Sequence, residues 1–545
     1  MYRLAVLATA ILADMIPALS QNPYLPLWEY IPDGEPYVFE DPDRPGHQRV
    51  YIYGSHDTHR TTYCGTEQVV WSAPVGNLCD WRYDGVIFTC TRDAEGNLLH
   101  EDGSGDTLYA PDVAVREVDG KKLYFFYPNV QGERNSLVAV SERPDGPFVT
   151  CNWRKDNPRL TDGVLGFDPA VFVDDDGRVY GYWGFERSYA AELDPLTMCT
   201  VRPGTGIIDG MIGDSKAGDN RFMFYEASSM RKIEDKYVFI YSRWTGEGEF
   251  GLPTTNYTLA YAYSDNPLGQ FTYGGTIIDG RGRDTDDNGK VIYTAHKTGN
   301  THGSIAEING QWYVFYHRQT GGDEFSRQAM VSPISVNVTE GPNGKVEISQ
   351  AEYTSEGFEL DGLNPYKTYS AGIACYYTGP RPATQEYPNM YYTGSYVEPN
   401  RIGVESGQDP YSKDLENNPM VNNTSGSVIG YKYYNMSLLA KGTNMLELGL
   451  VPQGIDGSIT IMLDSPYIER GGKIIGIVNI KAKDKPEMSY YSAKLDNLDN
   501  MDGKHALYLV FSSKTKDTSI CTLQTIRFTV GKGSGCASLK RLQSK

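Results

Sequence analysis

Apolar and polar residues alternate with a period of two along most of the chain, in short runs broken by Gly, Asn and Asp. That period is the strand signature, because successive side chains on a strand point to opposite faces. No long stretch carries the roughly 3.6-residue period of an amphipathic helix. The clearest run is 221–243. It places a carboxylate, Glu226, at the start of a strand, passes a charged turn at Glu234, Asp235 and Lys236, and continues into an aromatic strand at 237–241. The same order of acid, strand, tight turn and aromatic strand recurs behind Asp112 and Asp168. It recurs behind Gly303 without the acid, and more loosely behind Asp33. The turns at Asp119-Gly120, Asp176-Gly177, Glu234-Asp235 and Asn309-Gly310 are spaced by 57, 58 and 75 residues. Asp-Gly or Asn-Gly between two strands reads as a tight hairpin, and a rough fixed period marks a repeat architecture. Five units, each with room for about four short strands, predict a five-bladed β-propeller.

From about residue 366 the headed acids disappear while the alternation continues, for example in SVIGYKYYNMSLL, GSITIMLDS and KHALYLVFSS. Short alternating strands at regular spacing predict a β-sandwich, jelly-roll-like, over 366–530. The fold class is therefore all-β, with the propeller over 21–360. The Gly/Ser/Lys-rich end, 531–545, reads as a disordered tail. At the other end, residues 4–13 form an apolar run behind Arg3, and Ala18-Leu19-Ser20 offers small residues before Gln21. That is the pattern of a signal peptide over 1–20 and is too short to span a bilayer. Secretion is the expectation, and the sequons at Asn256, Asn337, Asn422, Asn423 and Asn435 fit it.

Composition narrows the partners. With 50 Lys+Arg against 69 Asp+Glu, the net charge of −19 argues against nucleic acid and anionic membrane. The 8 cysteines are dispersed and show no metal-ligand spacing; their even number permits disulfides without specifying a pairing.

Asp33, Asp112, Asp168 and Glu226 occupy one repeat position, so in a propeller they converge at one mouth of the central channel. Clustered carboxylates push their pKa values apart, which supplies the protonated acid and ionised base that glycoside hydrolysis requires. These residues sit in motifs that resemble glycoside hydrolase family 43: PDGEP around Asp33, YAPDV around Asp112, FDPAVF around Asp168, YEASSMRK around Glu226, and HGSI with QWYVFYHR at 302–318. The resemblance covers about 22–338. It implies an inverting, exo-acting enzyme in which Asp33 is the general base, Asp168 the pKa modulator and Glu226 the general acid. By the same resemblance Asp112 and Arg318 are substrate-binding residues. His302 matches a histidine beside a central ion or water, often calcium, so a structural Ca2+ is expected there and no cofactor is needed for the chemistry. Glu35, two residues from Asp33, is a rival base, and His296 is a rival to His302. The C-terminal stretch resembles a family 6 carbohydrate-binding module, for which Tyr490 and Tyr491 are candidate binding aromatics. The implied substrate is a plant cell-wall polysaccharide or oligosaccharide, acted on by a monomer. Removal of α-L-arabinofuranosyl residues is the first reading, with β-D-xylosidase and β-D-galactofuranosidase as alternatives. A non-catalytic carbohydrate-binding propeller is the alternative from another class.

Overall fold

The structure, a computed structural model, describes residues 21–531 apart from 60, 133, 215–220, 296–298, 340, 381–393, 399–417, 497 and 499–500. The expected signal peptide, all but the first residue of the expected tail, His296 and Cys536 lie outside the described residues. The described chain is built almost wholly from antiparallel strands. Its described helical turns are three-residue 3-10 segments such as Glu249–Gly251.

Five sheets follow one another in chain order. The first holds β1 (Glu35–Glu40), β2 (Gln48–Tyr53), β3 (Glu67–Pro74) and β4 (Arg82–Thr89). The second holds β5 (Asp112–Val118), β6 (Lys121–Tyr127), β7 (Ala139–Ser141) and β8 (Val149–Thr150). The third holds β9 (Ala170–Val173), β10 (Val179–Trp183), β11 (Tyr189–Leu193) and β12 (Ile207–Asp209). The fourth holds β13 (Phe224–Ile233), β14 (Lys236–Arg243), β15 (Thr258–Ser264) and β16 (Thr272–Asp279). After a small hairpin of β17 (Asp284–Thr285) and β18 (Val291–Ile292), the fifth holds β19 (Gly303–Ile308), β20 (Gln311–Gln319) and β21 (Arg327–Ile334).

The hairpins form where turn chemistry asks for them. Asp119 and Gly120 have φ of 50° and 77°, and Asn309 and Gly310 have 52° and 78°. Two consecutive left-handed residues suit the right-handed twist of the flanking strands, and Asp-Gly and Asn-Gly tolerate that conformation. The aromatic strands bury their rings between sheets, as where Tyr182 of β10 meets Phe239 of β14 at 5.8 Å. The opening segment runs beside β21. Asn22 donates to the Val331 carbonyl (2.6 Å) and accepts from its N–H (3.0 Å), and Tyr24 N–H donates to Ala329 (3.3 Å).

Beyond residue 366 the strands form two further sheets. One includes Met420–Val421, Asn444–Pro452, Ser489–Leu495 and Cys521–Val530. The other includes Tyr376–Thr378, Val428–Asn435, Gly457–Leu463, Lys473–Ile480 and Lys504–Ser512. Both contribute to one apolar cluster, for example Leu446, Leu448 and Phe528 from the first and Ile461 and Leu509 from the second. Leu27 of the opening segment belongs to that cluster too. A second cluster joins Tyr257, Tyr316 and Tyr353 to Tyr376, Val428, Met462 and Tyr508. The early and late sheets therefore bury apolar surface against each other. Cys64, Cys90, Cys151, Cys199, Cys375 and Cys521 are free thiols.

Candidate active site

Each of the three acids with assigned chemical roles sits where the strand geometry breaks. Asp33 lies two residues before β1 with φ 61°, and Asp168 two residues before β9 with φ 47°. Glu226 is the third residue of β13. Ala227 after it has φ 68°, and the register against β14 shifts on both sides of Glu226. Left-handed non-glycine residues cost on the order of 1–3 kcal/mol each and gather at functional sites, and bulges re-aim side chains. Here the departures bring all three carboxyls to one small cavity of about 260 Å³, which Asn300, His302 and Arg327 also line.

The carboxyls are made unlike by their surroundings. Burial alone would raise Asp33, but the Arg327 guanidinium together with His317 and His302 outweighs it and holds the group well below the usual carboxylate range. Arg327 places Nη1 3.3 Å from both Asp33 oxygens, and Ser55 donates its hydroxyl to one of them. The other side of the guanidinium is clamped by Asp57, through Nε at 2.9 Å and Nη2 at 2.8 Å. His317 Nδ1 lies 3.2 Å from the Asp33 backbone nitrogen and 3.1 Å from Asp33 Oδ1, while its Nε2 faces the Asn300 carbonyl (3.1 Å). Burial and then the Asp33 charge push Glu226 up to about 8, against the pull of Arg327 and a hydrogen bond with Asn300. Asp168 is also raised well above its ordinary value, by burial and by Glu226. Two such neighbours share one proton. Asn129 Nδ2 (2.8 Å) and Ala227 N–H (3.2 Å) both donate to Asp168, which favours its ionised form and leaves the proton on Glu226.

His302 lies in the same cavity, its Nδ1 3.7 Å from both Asp33 Oδ1 and Asp168 Oδ2. Burial lowers it to about 4, so the ring is neutral. Its Nε2 is buried with no hydrogen-bond partner, and one such nitrogen would suit a cation. Yet no group of three or more His, Cys, Asp or Glu among the described residues could hold a metal ion, so the residues present do not make a calcium cage.

Two expected substrate residues stand elsewhere. Asp112 does not line the cavity. Its oxygens accept from Tyr37 Oη (2.6 Å) and Val171 N–H (2.7 Å), tying β1, β5 and β9 together, and burial pushes it up to about 6. Arg318 is also outside the cavity, its guanidinium 4.7 Å from the Tyr353 ring and 4.3 Å from the Tyr377 ring. The reason is alternation along β20. His317 and Gln319 share the face of Arg327, which pairs opposite Gln319, while Arg318 points to the other side. The rival base Glu35 is out of the cavity as well. The left-handed turn at Asp33 breaks the two-residue alternation, and Glu35 instead bonds Arg231 at 2.6 Å and Ser229 at 3.1 Å.

Arg327, Asp57, Asn129 and Asn300 carry no motif that singles them out in one sequence. A signal was present for the first two: charged residues inside the otherwise apolar runs SRQAMVSP and YIYGSHD.

A cavity holding one acid kept ionised and one kept protonated is a site for acid–base hydrolysis of a glycosidic bond. The family model of glycosyl hydrolases family 43 matches residues 45–340. A xylosidase/arabinosidase of Thermoclostridium stercorarium is 32% identical over 524 residues, covering 92% of this chain and 98% of that protein. An arabinoxylan arabinofuranohydrolase of Paenibacillus polymyxa is 24% identical over 530 residues, covering 94% and 74%. Among solved structures, an arabinoxylan arabinofuranohydrolase of Bacillus subtilis in complex with cellotetraose covers 94% of this chain and 98% of its own, at 19% identity and a TM-score of 0.45. The chain belongs to glycosyl hydrolases family 43 and is a glycoside hydrolase.

Proposed function

We propose that the enzyme removes single terminal sugars by inverting single displacement, with Asp33 as general base, Glu226 as general acid and Asp168 as the modulator of Glu226. The observation that carries this is the division of charge around Arg327: it keeps Asp33 ionised, while Glu226 in the same cavity is pushed up to about 8. Asp33 takes a proton from the water that attacks the anomeric carbon. Glu226 gives its proton to the departing oxygen, and Asp168, held by Asn129 and Ala227, keeps Glu226 oriented and protonated. Acid, base and water suffice for this chemistry. A cavity of about 260 Å³ suits one sugar unit at a chain or branch end.

The released sugar in this reading is α-L-arabinofuranose, from plant cell-wall arabinoxylan or its oligosaccharides. A relative named as an arabinoxylan arabinofuranohydrolase supports it. β-D-Xylose is the second reading, supported by the relative named for both activities. We read the five successive sheets as propeller blades and the two late sheets as a sandwich. With an N-terminus of the signal-peptide pattern, the enzyme works outside the cell.

A panel of 4-nitrophenyl glycosides tests the function. Fastest release is expected from the α-L-arabinofuranoside. Faster release from the β-D-xyloside selects the second reading, and hydrolysis of no glycoside contradicts both. Proton NMR of the first-formed sugar should show the inverted anomer; the retained anomer contradicts the assigned roles.

A further inference from the structure

Further along the strands that carry the catalytic acids lies a second buried layer of polar side chains, which the hydrolysis itself does not use. Glu35 opens β1 and Asp112 opens β5, and both are buried. Arg231 of β13 donates Nη2 to Glu35 Oε2 (2.6 Å) and Nη1 to Tyr37 Oη (3.4 Å), and its guanidinium lies 4.7 Å from the Tyr37 ring. Tyr37 Oη donates in turn to Asp112 Oδ1 (2.6 Å), whose other oxygen accepts the Val171 N–H of β9 (2.7 Å). Arg231 Nε donates to the Ile305 carbonyl of β19 (3.1 Å). Ser229 of β13 donates to Glu35 Oε2 (3.1 Å) and meets the Ser304 hydroxyl of β19 at 2.7 Å. One hydrogen-bonded network thus joins β1, β5, β9, β13 and β19, the first strand of each of the five successive sheets.

The same strands present the catalytic cavity. Glu35 follows Asp33 by two residues, Val171 follows Asp168 by three, Ser229 follows Glu226 by three and Ser304 follows His302 by two. A strand rises about 3.3 Å per residue, so each of these cavity residues stands within about 10 Å of the network along its own backbone. The bond from Arg231 to Glu35 joins the strand of the acid to the strand behind the base, although β13 and β1 belong to different sheets. Single displacement is sensitive to that spacing: acid and base stand about 6.5–9.5 Å apart to admit the water, and a misplacement of about 1 Å can cost about 10²-fold in rate. Glu35 Oε1 is buried without a hydrogen-bond partner, a cost that an apolar pair of like volume would avoid. What the ion pair supplies instead is a directional, charge-assisted bond of fixed length from a planar guanidinium.

We propose that Arg231 and Glu35, with Tyr37 and Asp112, are positioning residues that set the gap between Asp33 and Glu226 by locking β13 to β1 behind the cavity. The inference rests on the assignment of Asp33 as base and Glu226 as acid. None of the four reaches the sugar; they act through the two carboxyls. Without the lock β1 and β13 part, the water and the leaving oxygen are no longer held together in line, and the Asp33 charge acts on Glu226 from further away.

The test compares wild type, the double variant Glu35→Leu/Arg231→Met and the conservative Arg231→Lys. The double variant removes both partners of the ion pair, so no orphaned charge is left to unfold the chain; Arg231→Lys keeps the charge but not the fork and carries the test if the double variant does not fold. On an oligosaccharide bearing the sugar that the glycoside panel selects, the double variant should lose about tenfold or more in kcat with KM within about threefold of wild type. Its alkaline limb of kcat/KM against pH should move to lower pH, because a more distant Asp33 raises Glu226 less. A structural role alone would lower activity equally at every pH. Arg231→Lys should show the same changes, smaller. A folded variant with kcat and alkaline limb unchanged overturns the proposal, and so does a loss confined to KM. Crystal structures supply an arm that needs no turnover: the separation of the Asp33 and Glu226 carboxyls should differ from wild type by about 0.5 Å or more in the variant, and an unchanged separation overturns the proposal. A wild type that hydrolyses nothing therefore counts against the proposed function, while the positioning is still judged by that separation.

Discussion

Arg327 holds Asp33 symmetrically, one guanidinium nitrogen 3.3 Å from each carboxylate oxygen, although 294 residues separate the two in the chain. The same guanidinium is gripped from behind by Asp57. This contact decides which of the clustered acids carries the negative charge, and the division of labour in the site follows from it.

The first consequence is a pH dependence. Asp33 is depressed because Arg327, with His317 and His302, overcomes burial. A base with a depressed pKa is ionised through the acid range, and activity falls only when the pH drops through that low value. In Arg327→Met, burial is opposed only by His317 and His302, and Asp33 rises. The acid limb of kcat/KM against pH should therefore move to higher pH. An unmoved acid limb would mean that Arg327 does not set the charge on Asp33.

A second consequence sits on the opposite limb. Glu226 is pushed up to about 8, so the alkaline limb of the wild-type profile should lie near there. Asp168→Asn removes a neighbouring negative charge, which makes Glu226 easier to ionise and lowers its pKa. The alkaline limb should shift to lower pH while the acid limb, set by Asp33, moves little. A shift to higher pH would contradict the role of Asp168.

Arg318 separates packing from catalysis. It stacks between Tyr353 and Tyr377 away from the cavity. Arg318→Ala should cost about 1–4 kcal/mol of stability, from two cation–π contacts of about 0.5–2 kcal/mol each. The melting temperature should fall with kcat/KM within about twofold of wild type. A fully stable variant with lost activity would return Arg318 to the substrate site.

The shared core makes the two parts interdependent. Tyr257, Tyr316 and Tyr353 of the first part are covered by Tyr376, Val428, Met462 and Tyr508 of the second. Residues 21–360 or 366–530 produced alone should lack a cooperative melt, since each exposes that apolar surface to water. A sharp transition in either piece alone would contradict the packing argument.

Much of the site was legible in the chain because repetition flags position. Asp33, Asp168 and Glu226 head the first, third and fourth units, and all three line the cavity with His302. What repetition could not convey was local backbone. The left-handed residues at Asp33, Asp168 and Ala227 take Asp33 and Glu35 in different directions. Asp112 lacks such a break and turns its carboxyl into Tyr37 and Val171 instead. Arg318 was misplaced by one step of a strand, which carries a side chain to the opposite face. Arg327 showed in the sequence only as a charge inside an apolar run: its partner Asp57 is 270 residues away, and pairing at that range is a property of the fold.

The most direct test of the account is the dependence of Glu226→Gln on leaving group. An acid is needed most when the departing oxygen is a poor leaving group. The folded variant should therefore lose about 10²- to 10⁴-fold in rate on an oligosaccharide and far less on a 4-nitrophenyl glycoside. Asp33→Asn, which removes the base that activates water, should lose activity on both. Glu226→Gln fully active on oligosaccharide, or impaired equally on both substrates, would contradict the assignment of the acid.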